Sequence, residues 1–182
     1  MKASVYIAVS LDGFIARSNG DLDWLPAPVG PGGEDYGYGA FMKTVDVIVM
    51  GRGTYEKVLS FGSWPYETPV VVLSSRNLTL PALAPASIEI MSGPPAEVVA
   101  RLESRGLEHA YVDGGVTIQR FLEAGLIQRL IITRVPVLIG SGIPLFGPLT
   151  RDVPLYHVNS RTFANGLVQS EYSIIARDDQ NA

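Results

Sequence analysis

The stretch VIVMGRGTYEKVL, from Val47 to Leu59, decides the expected fold. Its first part is short, β-branched and apolar, which is typical of a strand that is buried on both faces of a sheet. Its second part has the composition of a helix, and a Gly-Arg-Gly turn joins the two parts. A buried strand that passes directly into a helix is one unit of a parallel α/β sheet.

Similar units extend outward from this stretch in both directions. The predicted strands span residues 3–9, 46–50, 69–75, 110–115 and 129–140. The predicted helices span residues 34–45, 54–61, 96–106 and 116–125. The end of the chain differs, because two alternating runs surround the pair Asn165-Gly166, which is typical of a hairpin turn. We therefore predict a mixed, mainly parallel α/β sheet with helices on both faces and a C-terminal antiparallel hairpin.

Length and composition limit the class of protein. The chain has 182 residues, a formal net charge of −4, no cysteine and two histidines far apart in sequence. These numbers predict one domain over residues 1–178 with a short polar tail at 179–182, no disulfide and no metal site. The negative charge argues against a nucleic-acid partner. No targeting signal or membrane-spanning run is recognisable, so we expect a soluble cytoplasmic protein.

Three turns at the ends of predicted parallel strands have residues suited to phosphate. Glycines allow close approach of the backbone, and a helix start offers unpaired N–H groups. Each turn alone is equally well explained as an ordinary tight turn or solvated loop. Together they lie at one edge of one sheet, where open α/β sheets bind ligands, so we expect a dinucleotide there. The turns contain Gly51, Arg52, Gly53 and Thr54; Ser74, Ser75 and Arg76; and Gly114 and Gly115.

The order of motifs along the chain resembles the dihydrofolate reductase superfamily over nearly its whole length. The segments VMGRGTYE (49–56) and LSSR (73–76) are similar to that superfamily in general. The segments SLDGFIA (10–16), VDGGVTIQRFL (112–122) and IGSGIPLF (139–146) are similar to the reductase domain of riboflavin biosynthesis, which shares the fold. The chain therefore resembles the stand-alone dihydrofolate-reductase-like proteins of bacteria.

The resemblance implies NADPH as the hydride donor and assigns residues to it. Besides the three turns, it implies that Val116 and Thr117 contact the cofactor. It also implies that Ala8, Leu11, Gly13 and Ile15 cover the nicotinamide. Because the 2′-phosphate distinguishes NADPH from NADH, we expect the hydroxyls and guanidinium of the segment 74–76 to bind that phosphate.

The proton donor is expected on the helix before the Val47 strand. Reduction of a C=N bond needs a proton as well as a hydride. The resemblance places an acid on this helix, where Asp35 has the matching spacing from Gly51, and it makes Thr133 the residue that supports the acid. Glu34 is a second candidate acid, and the alternative for both residues is a solvated charge at a helix start, which is favoured for Glu34. Asp113 either points inward or caps its turn, and capping is the expected role.

Aromatic residues near the first long loop are candidates for the substrate site. The resemblance places Trp24 beside the substrate, and Tyr36 and Tyr38 offer stacking faces for a flat heterocycle. Packing on the core is the alternative for such side chains. A phosphorylated riboflavin precursor would require basic residues here, but the loops supply only Arg17 and Arg151, with Lys43 beyond.

Two functions remain open at this point. The first is an NADPH-dependent reductase of a flat nitrogen heterocycle, either the pyrimidine of the riboflavin pathway or a pterin or folate. The second is a non-catalytic NADPH-binding module without the acid. For self-association, the apolar segment 130–140 and the hairpin with Tyr156 and Tyr172 offer a shared edge or face. The resemblance to the riboflavin reductase domain also implies a homodimer.

Overall fold

The computed structural model describes residues 1–27, 30–76, 78 and 87–175. A 3-10 turn occupies Pro31–Gly33. The strands are β1 (Lys2–Ser10), β2 (Phe14–Ala16), β3 (Val47–Gly51), β4 (Val70–Leu73), β5 (Ile88–Met91), β6 (His109–Asp113), β7 (Arg129–Val135), β8 (Ile143–Pro144), β9 (Leu155–Thr162) and β10 (Val168–Ile174). The helices are α1 (Tyr38–Met42), α2 (Arg52–Leu59), α3 (Pro95–Glu103) and α4 (Gly115–Glu123). The predicted boundary at residue 178 lies outside the described residues.

Eight strands form one sheet in the order β5-β4-β3-β6-β1-β7-β10-β9, and β2 and β8 form a small second sheet. Pairing is parallel from β5 to β7. The strand β10 runs antiparallel to both β7 and β9. The predicted mixed, mainly parallel sheet with a C-terminal hairpin is confirmed.

The parallel strands are buried on both faces because their side chains alternate between two cores. Val47 and Val49 of β3 pack with α3 and α4 on one face. Ile48 and Met50 pack on the other face with Phe41 of α1 and with α2. Helices therefore cover both faces of the sheet, and the carboxyl ends of β1, β3, β4 and β6 come together at one edge.

The short strands β2 and β8 and the 3-10 turn were not predicted, and three further elements differ from the sequence prediction. The helix expected over 34–45 is shortened to α1, because Gly37 has a φ of 91° and stops a helix from starting earlier. The strand expected to reach residue 140 ends at Val135, where the following Pro136 has no N–H for a ladder. The edge strand β5 was missed because it is only four residues long and has Glu89 in its middle. Within the described part of the chain, no helix is long and apolar enough to cross a bilayer.

Candidate functional site

A cleft of about 750 Å³ opens at the carboxyl ends of the central strands. It is bordered by the ends of β1, β3, β4 and β6, by the first turns of α2 and α4, and by the loop that follows β2. This loop, residues 17–27 as far as the structure describes it, is called the first loop below. Thirteen of the fifteen residues predicted to contact the cofactor line this cleft: Ala8, Ile15, Gly51, Arg52, Gly53, Thr54, Ser74, Ser75, Arg76, Gly114, Gly115, Val116 and Thr117.

The turns after β3 and β6 pack against each other, and glycine makes this possible. A Cβ at Gly51 would lie 2.8 Å from Thr117 Oγ1, and a Cβ at Gly114 would collide with Thr54 Oγ1. Gly114 also has a φ of 90°, a conformation that favours glycine. Each helix therefore starts immediately at the cleft, with a threonine of its first turn filling the space beside the neighbouring turn.

The first turns of α2 and α4 present free backbone donors to this cleft. Neither helix has a side-chain hydrogen bond at its N-cap. The first N–H groups of a helix need a partner, and the helix dipole favours an anion there. Gly53 adds room, because a Cβ built on it has no heavy atom within 4 Å. This geometry suits a pyrophosphate.

The turn after β4 has one structural residue and two exposed ones. Ser74 Oγ donates to the carbonyl of Arg76 at 2.8 Å and accepts from its N–H at 3.1 Å, so this serine shapes the turn. Ser75 and Arg76 are exposed at the cleft. A hydroxyl and a guanidinium at this position form a donor set that suits a phosphate monoester.

Leu11 and Gly13 are the two predicted cofactor residues that do not line the cleft. The side chain of Leu11 is 59% exposed, and Gly13 accepts a backbone hydrogen bond from Leu145. Asp12 between them anchors the loop after β7, because its carboxylate accepts the N–H groups of Ile139 and Gly140. In this structure the SLDG motif fixes one loop against another.

Asp113 is the carboxyl group of the cleft. It ends β6, lines the cleft and accepts the N–H of the adjacent Gly114 at 2.8 Å, a bond within the turn that does not reach the N–H groups of α4. The residue keeps some accessible surface toward the cleft, but protein surrounds it on the other sides. This burial raises the pKa of the Asp113 carboxyl from 3.8 to about 6, and the bond from Gly114 only partly opposes the shift.

Tyrosine side chains surround Asp113. Tyr66 and Tyr111 also line the cleft, and Tyr38 lies near enough for the Asp113 charge to act on it. Burial, and then the Asp113 charge, raise the pKa of Tyr38 to about 12 and shift the pKa of Tyr66 upward as well. All three phenols therefore stay protonated at neutral pH beside the carboxyl.

Asp35 is placed differently from Asp113. Its carboxylate is exposed and accepts the N–H groups of Gly37 and Gly39 at the start of α1. These two bonds lower the pKa of Asp35 below its usual value. The residue does not line the cleft, and a carboxyl with a lowered pKa is a poor proton donor at neutral pH.

Thr133 and the aromatic residues predicted for the substrate do not line the cleft, although Tyr38 lies close to Asp113. Thr133 is buried, and its hydroxyl accepts a hydrogen bond from Gln169. Tyr36 is buried against Phe163, and Trp24 packs into the same cluster. Tyr38 packs edge-on against Tyr6. The protein interior therefore takes up these side chains. The residues that line the cleft but were not predicted from sequence include Leu22, Leu25, Lys57, Val58, Phe61 and Tyr66.

Comparison with known proteins agrees with this geometry. A family model described as the RibD C-terminal domain matches residues 2–169. The uncharacterized protein YwjB of Bacillus subtilis is 36% identical over 94% of this chain and 97% of its own length. The crystal structure of a putative riboflavin biosynthesis protein from Shewanella sp. PV-4 superposes with a TM-score of 0.91 at 41% identity, covering 97% of this chain and 100% of that one.

A more distant similarity extends to dihydrofolate reductase. The enzyme from Enterococcus faecalis, solved as a complex with NADP(H), superposes with a TM-score of 0.67 at 16% identity. The match covers 96% of this chain and 97% of that one. At this level of identity the comparison concerns the fold, and it confirms the predicted dihydrofolate-reductase-like architecture.

Proposed function

This chain belongs to the RibD C-terminal domain family, and on that premise we propose that it is an NADPH-dependent reductase of a flat nitrogen heterocycle. The substrate is the pyrimidine of the riboflavin pathway or a related pterin or folate. One observation carries the proposal: the buried carboxyl of Asp113 faces the same cleft that the open starts of α2 and α4 border. A phosphate-binding edge and a proton donor thus share one space.

The residues of the cleft fit NADPH. The backbone of Gly53 and Thr54 and that of Gly115 and Val116 would hold the pyrophosphate. Ser75 and Arg76 would hold the 2′-phosphate, and Ala8 and Ile15 offer apolar contact for the nicotinamide. When bound, the dinucleotide supplies the hydride.

Asp113 supplies the proton in this proposal. A carboxyl with a pKa of about 6 is protonated in about one molecule in ten at pH 7, far more often than an ordinary aspartate, so it can donate to a ring nitrogen or an oxygen as negative charge develops there. The Gly114 N–H holds one carboxyl oxygen and leaves the other for the substrate. Asp35, the acid expected from sequence, is the alternative donor. It would have to leave its two backbone partners to reach a substrate.

The second candidate is a non-catalytic NADPH-binding module, which presupposes that the site lacks an acid. The carboxyl of Asp113 within the cleft argues against it. The module hypothesis still has a clear signature, which is tight NADPH binding without hydride transfer to any heterocycle.

NADPH oxidation measured with 5-amino-6-(5-phosphoribosylamino)uracil and with dihydrofolate tests the proposal. Turnover is expected with at least one flat heterocycle.

Asp113→Asn should lower kcat about 100-fold or more, and it should abolish the fall of kcat/KM above about pH 6. Asp35→Asn should change kcat less than threefold or so, because it acts on α1 alone. The reverse ranking of the two variants would assign the proton to Asp35.

The cofactor assignment has its own test in Arg76→Ala. This change should weaken the binding of NADPH by a factor of about 10–100 and leave the binding of NADH nearly unaffected, because only NADPH carries the 2′-phosphate. Isothermal titration with both dinucleotides measures the difference. Equal losses for the two cofactors would contradict the assignment.

A further inference from the structure

Positive charge is distributed unevenly along the cleft. Among the described residues, the basic side chains that line it are Arg52, Lys57, Arg76 and Arg120. Arg52 starts α2, Arg76 follows β4, and Arg120 lies in α4. Arg52 and Arg76 stand on the segments proposed to hold the pyrophosphate and the 2′-phosphate of the dinucleotide, and Arg120 lies on the second turn of α4. Lys57 lies on the second turn of α2, beside the first loop.

Lys57 is already engaged by an acidic partner. Its ammonium contacts the carboxylate of Asp21 in the first loop at 3.0 Å, which joins that loop to α2. The bond from Lys57 is the main cause that lowers the pKa of Asp21, so this carboxylate stays ionised at neutral pH. The pair is therefore close to neutral and gives little attraction to an anion.

The rest of this end of the cleft is apolar or acidic. Leu22 and Leu25 of the first loop face the same cleft as Val58 and Phe61 near the end of α2, and Asp113 lies at its base. A phosphate dianion held here would face a carboxyl group and apolar walls, and burial of a charge without a partner is costly. Segments that the structure leaves undescribed contain one basic residue, Arg177, near the end of the chain.

We propose that the substrate is a heterocycle that carries no phosphate, and that Asp21 enforces this choice by neutralising Lys57. The inference rests on the proposed function. The ring would present its N–H and ring-nitrogen groups to Asp113, and an uncharged substituent such as a ribityl or ribosyl group would lie between the first loop and α2. This chain would thus act on the dephosphorylated form of a pyrimidine, or on a pterin.

Matched pairs of heterocycles that differ only in a phosphate ester test the proposal. Suitable pairs are 5-amino-6-ribosylaminouracil with its 5′-phosphate, and a ribosyl pterin with its phosphate. Binding to the NADPH-loaded protein is measured by isothermal titration, and turnover by NADPH oxidation. The unphosphorylated member is expected to bind at least about tenfold more tightly. Asp21→Asn, which releases Lys57, should improve binding of the ester about fivefold and leave the parent compound within about twofold.

Four outcomes are informative. A preference for the ester that Lys57→Ala removes would overturn the proposal and make Lys57 a phosphate ligand. An Asp21→Asn variant that shifts both members of a pair equally would remove Asp21 as the cause of the selectivity. Binding of NADPH with no binding or turnover of any heterocycle would overturn the proposed function itself, and the inference with it. This third result is recognised because neither member of any pair binds or turns over, whereas equal binding of both members would overturn the inference and leave the proposed function standing.

Discussion

Gly53 offers a test at the level of one residue, because packing and cofactor binding make opposite demands on it. Its Cβ position is open space and its φ is not in the left-handed region. Gly53→Ala should therefore stabilise α2 by about 0.5–1 kcal/mol in the free protein. If a pyrophosphate approaches this backbone, the added methyl group should weaken the binding of NADPH about tenfold. Urea unfolding and isothermal titration measure the two effects.

Gly114→Ala is the contrasting variant for this measurement. Here the φ of 90° and the collision with Thr54 Oγ1 predict a loss of stability of about 1–3 kcal/mol. A Gly53→Ala variant that loses stability in the same way would show that Gly53 is required by the fold. In that case its place in the cofactor site would lose its support.

The buried carboxyl of Asp113 should lower the stability of the folded protein, and the proposed function requires that carboxyl. Its folded-state pKa of about 6 lies above the ordinary 3.8, so the folded state binds its proton more tightly than the unfolded state does. The loss of unfolding free energy caused by ionisation of the buried Asp113 carboxyl is absent below about pH 4, grows as the pH rises toward 6 and is constant above about pH 6. Asp113→Asn should therefore raise the unfolding free energy by about 1–3 kcal/mol at about pH 8, with no gain at about pH 4.

Asp12 is the matched control for the sign of this effect. Hydrogen bonds from Ser10, Gly140 and Ile139 lower its pKa, with the Ser10 bond the largest cause. Its stabilising contribution is therefore present above the ordinary carboxyl pKa and is lost as the pH falls through the lowered value. Asp12→Asn should lower the unfolding free energy at about pH 8, in the opposite direction to Asp113→Asn. The same sign for both variants would refute the environment assigned to Asp113.

At the scale of elements, the contact between β7 and β10 fixes the C-terminal hairpin to the parallel sheet. Arg129 and Glu171 form an ion pair at 2.7 Å with side chains only 28% and 20% exposed. The Arg129 bond is the main cause that lowers the pKa of Glu171. The pair therefore stabilises the fold above the ordinary glutamate pKa of 4.5, and its contribution is lost as the pH falls through the lowered value.

Glu171→Gln should lower the unfolding free energy by about 1 kcal/mol near pH 7, and the difference from the natural chain should shrink toward zero near pH 3. Urea unfolding at both pH values measures it. Glu89→Gln is the control, because the Glu89–Arg105 pair is about half exposed on both sides and should contribute less. Equal losses of unfolding free energy in the two variants would show that partial burial does not strengthen the Arg129–Glu171 ion pair.

Elements with strong local patterns were predictable from sequence. The parallel strands are continuous apolar runs because both of their faces are buried, and the hairpin follows from Asn165-Gly166, where Gly166 has a φ of 83°. The position of the cleft follows from topology, because the carboxyl ends of parallel strands meet at one edge. Thirteen of the fifteen residues predicted for the cofactor therefore line the cleft, and their contact with a cofactor stays a prediction.

The substrate end of the cleft was not predictable, because no periodicity fixes the direction of a loop side chain. Trp24 and Tyr36 turn into the core, whereas Leu22 and Tyr66 turn toward the cleft. Asp113 was expected to cap its turn, and one of its oxygens accepts the N–H of Gly114 within that turn. Its raised pKa depends on burial by neighbours such as Tyr66, which lies far from it in sequence.

At the scale of the whole molecule, the two halves of the sheet differ in what covers them. The half from β5 to β1 has helices on both faces and borders the cleft. The other half ends in β9, a strand of eight residues whose side chains are all exposed. Among these, Leu155, Tyr156 and Val158 are apolar, and in the described sheet β9 pairs with β10 alone. An exposed edge strand that carries apolar side chains is a site for association with another chain.

We therefore predict a homodimer in which β9 and its exposed apolar side chains pair with a second copy. Tyr156→Asp combined with Val158→Asp should convert the dimer to a monomer, because two charges on each side would be buried without partners. Light scattering after size-exclusion chromatography measures the mass. Leu59→Asp is the control, since Leu59 is also an exposed apolar residue but lies on α2, at the other half of the sheet. A chain that is monomeric before substitution, or a dimer that survives the double change, would place the interface elsewhere or remove it.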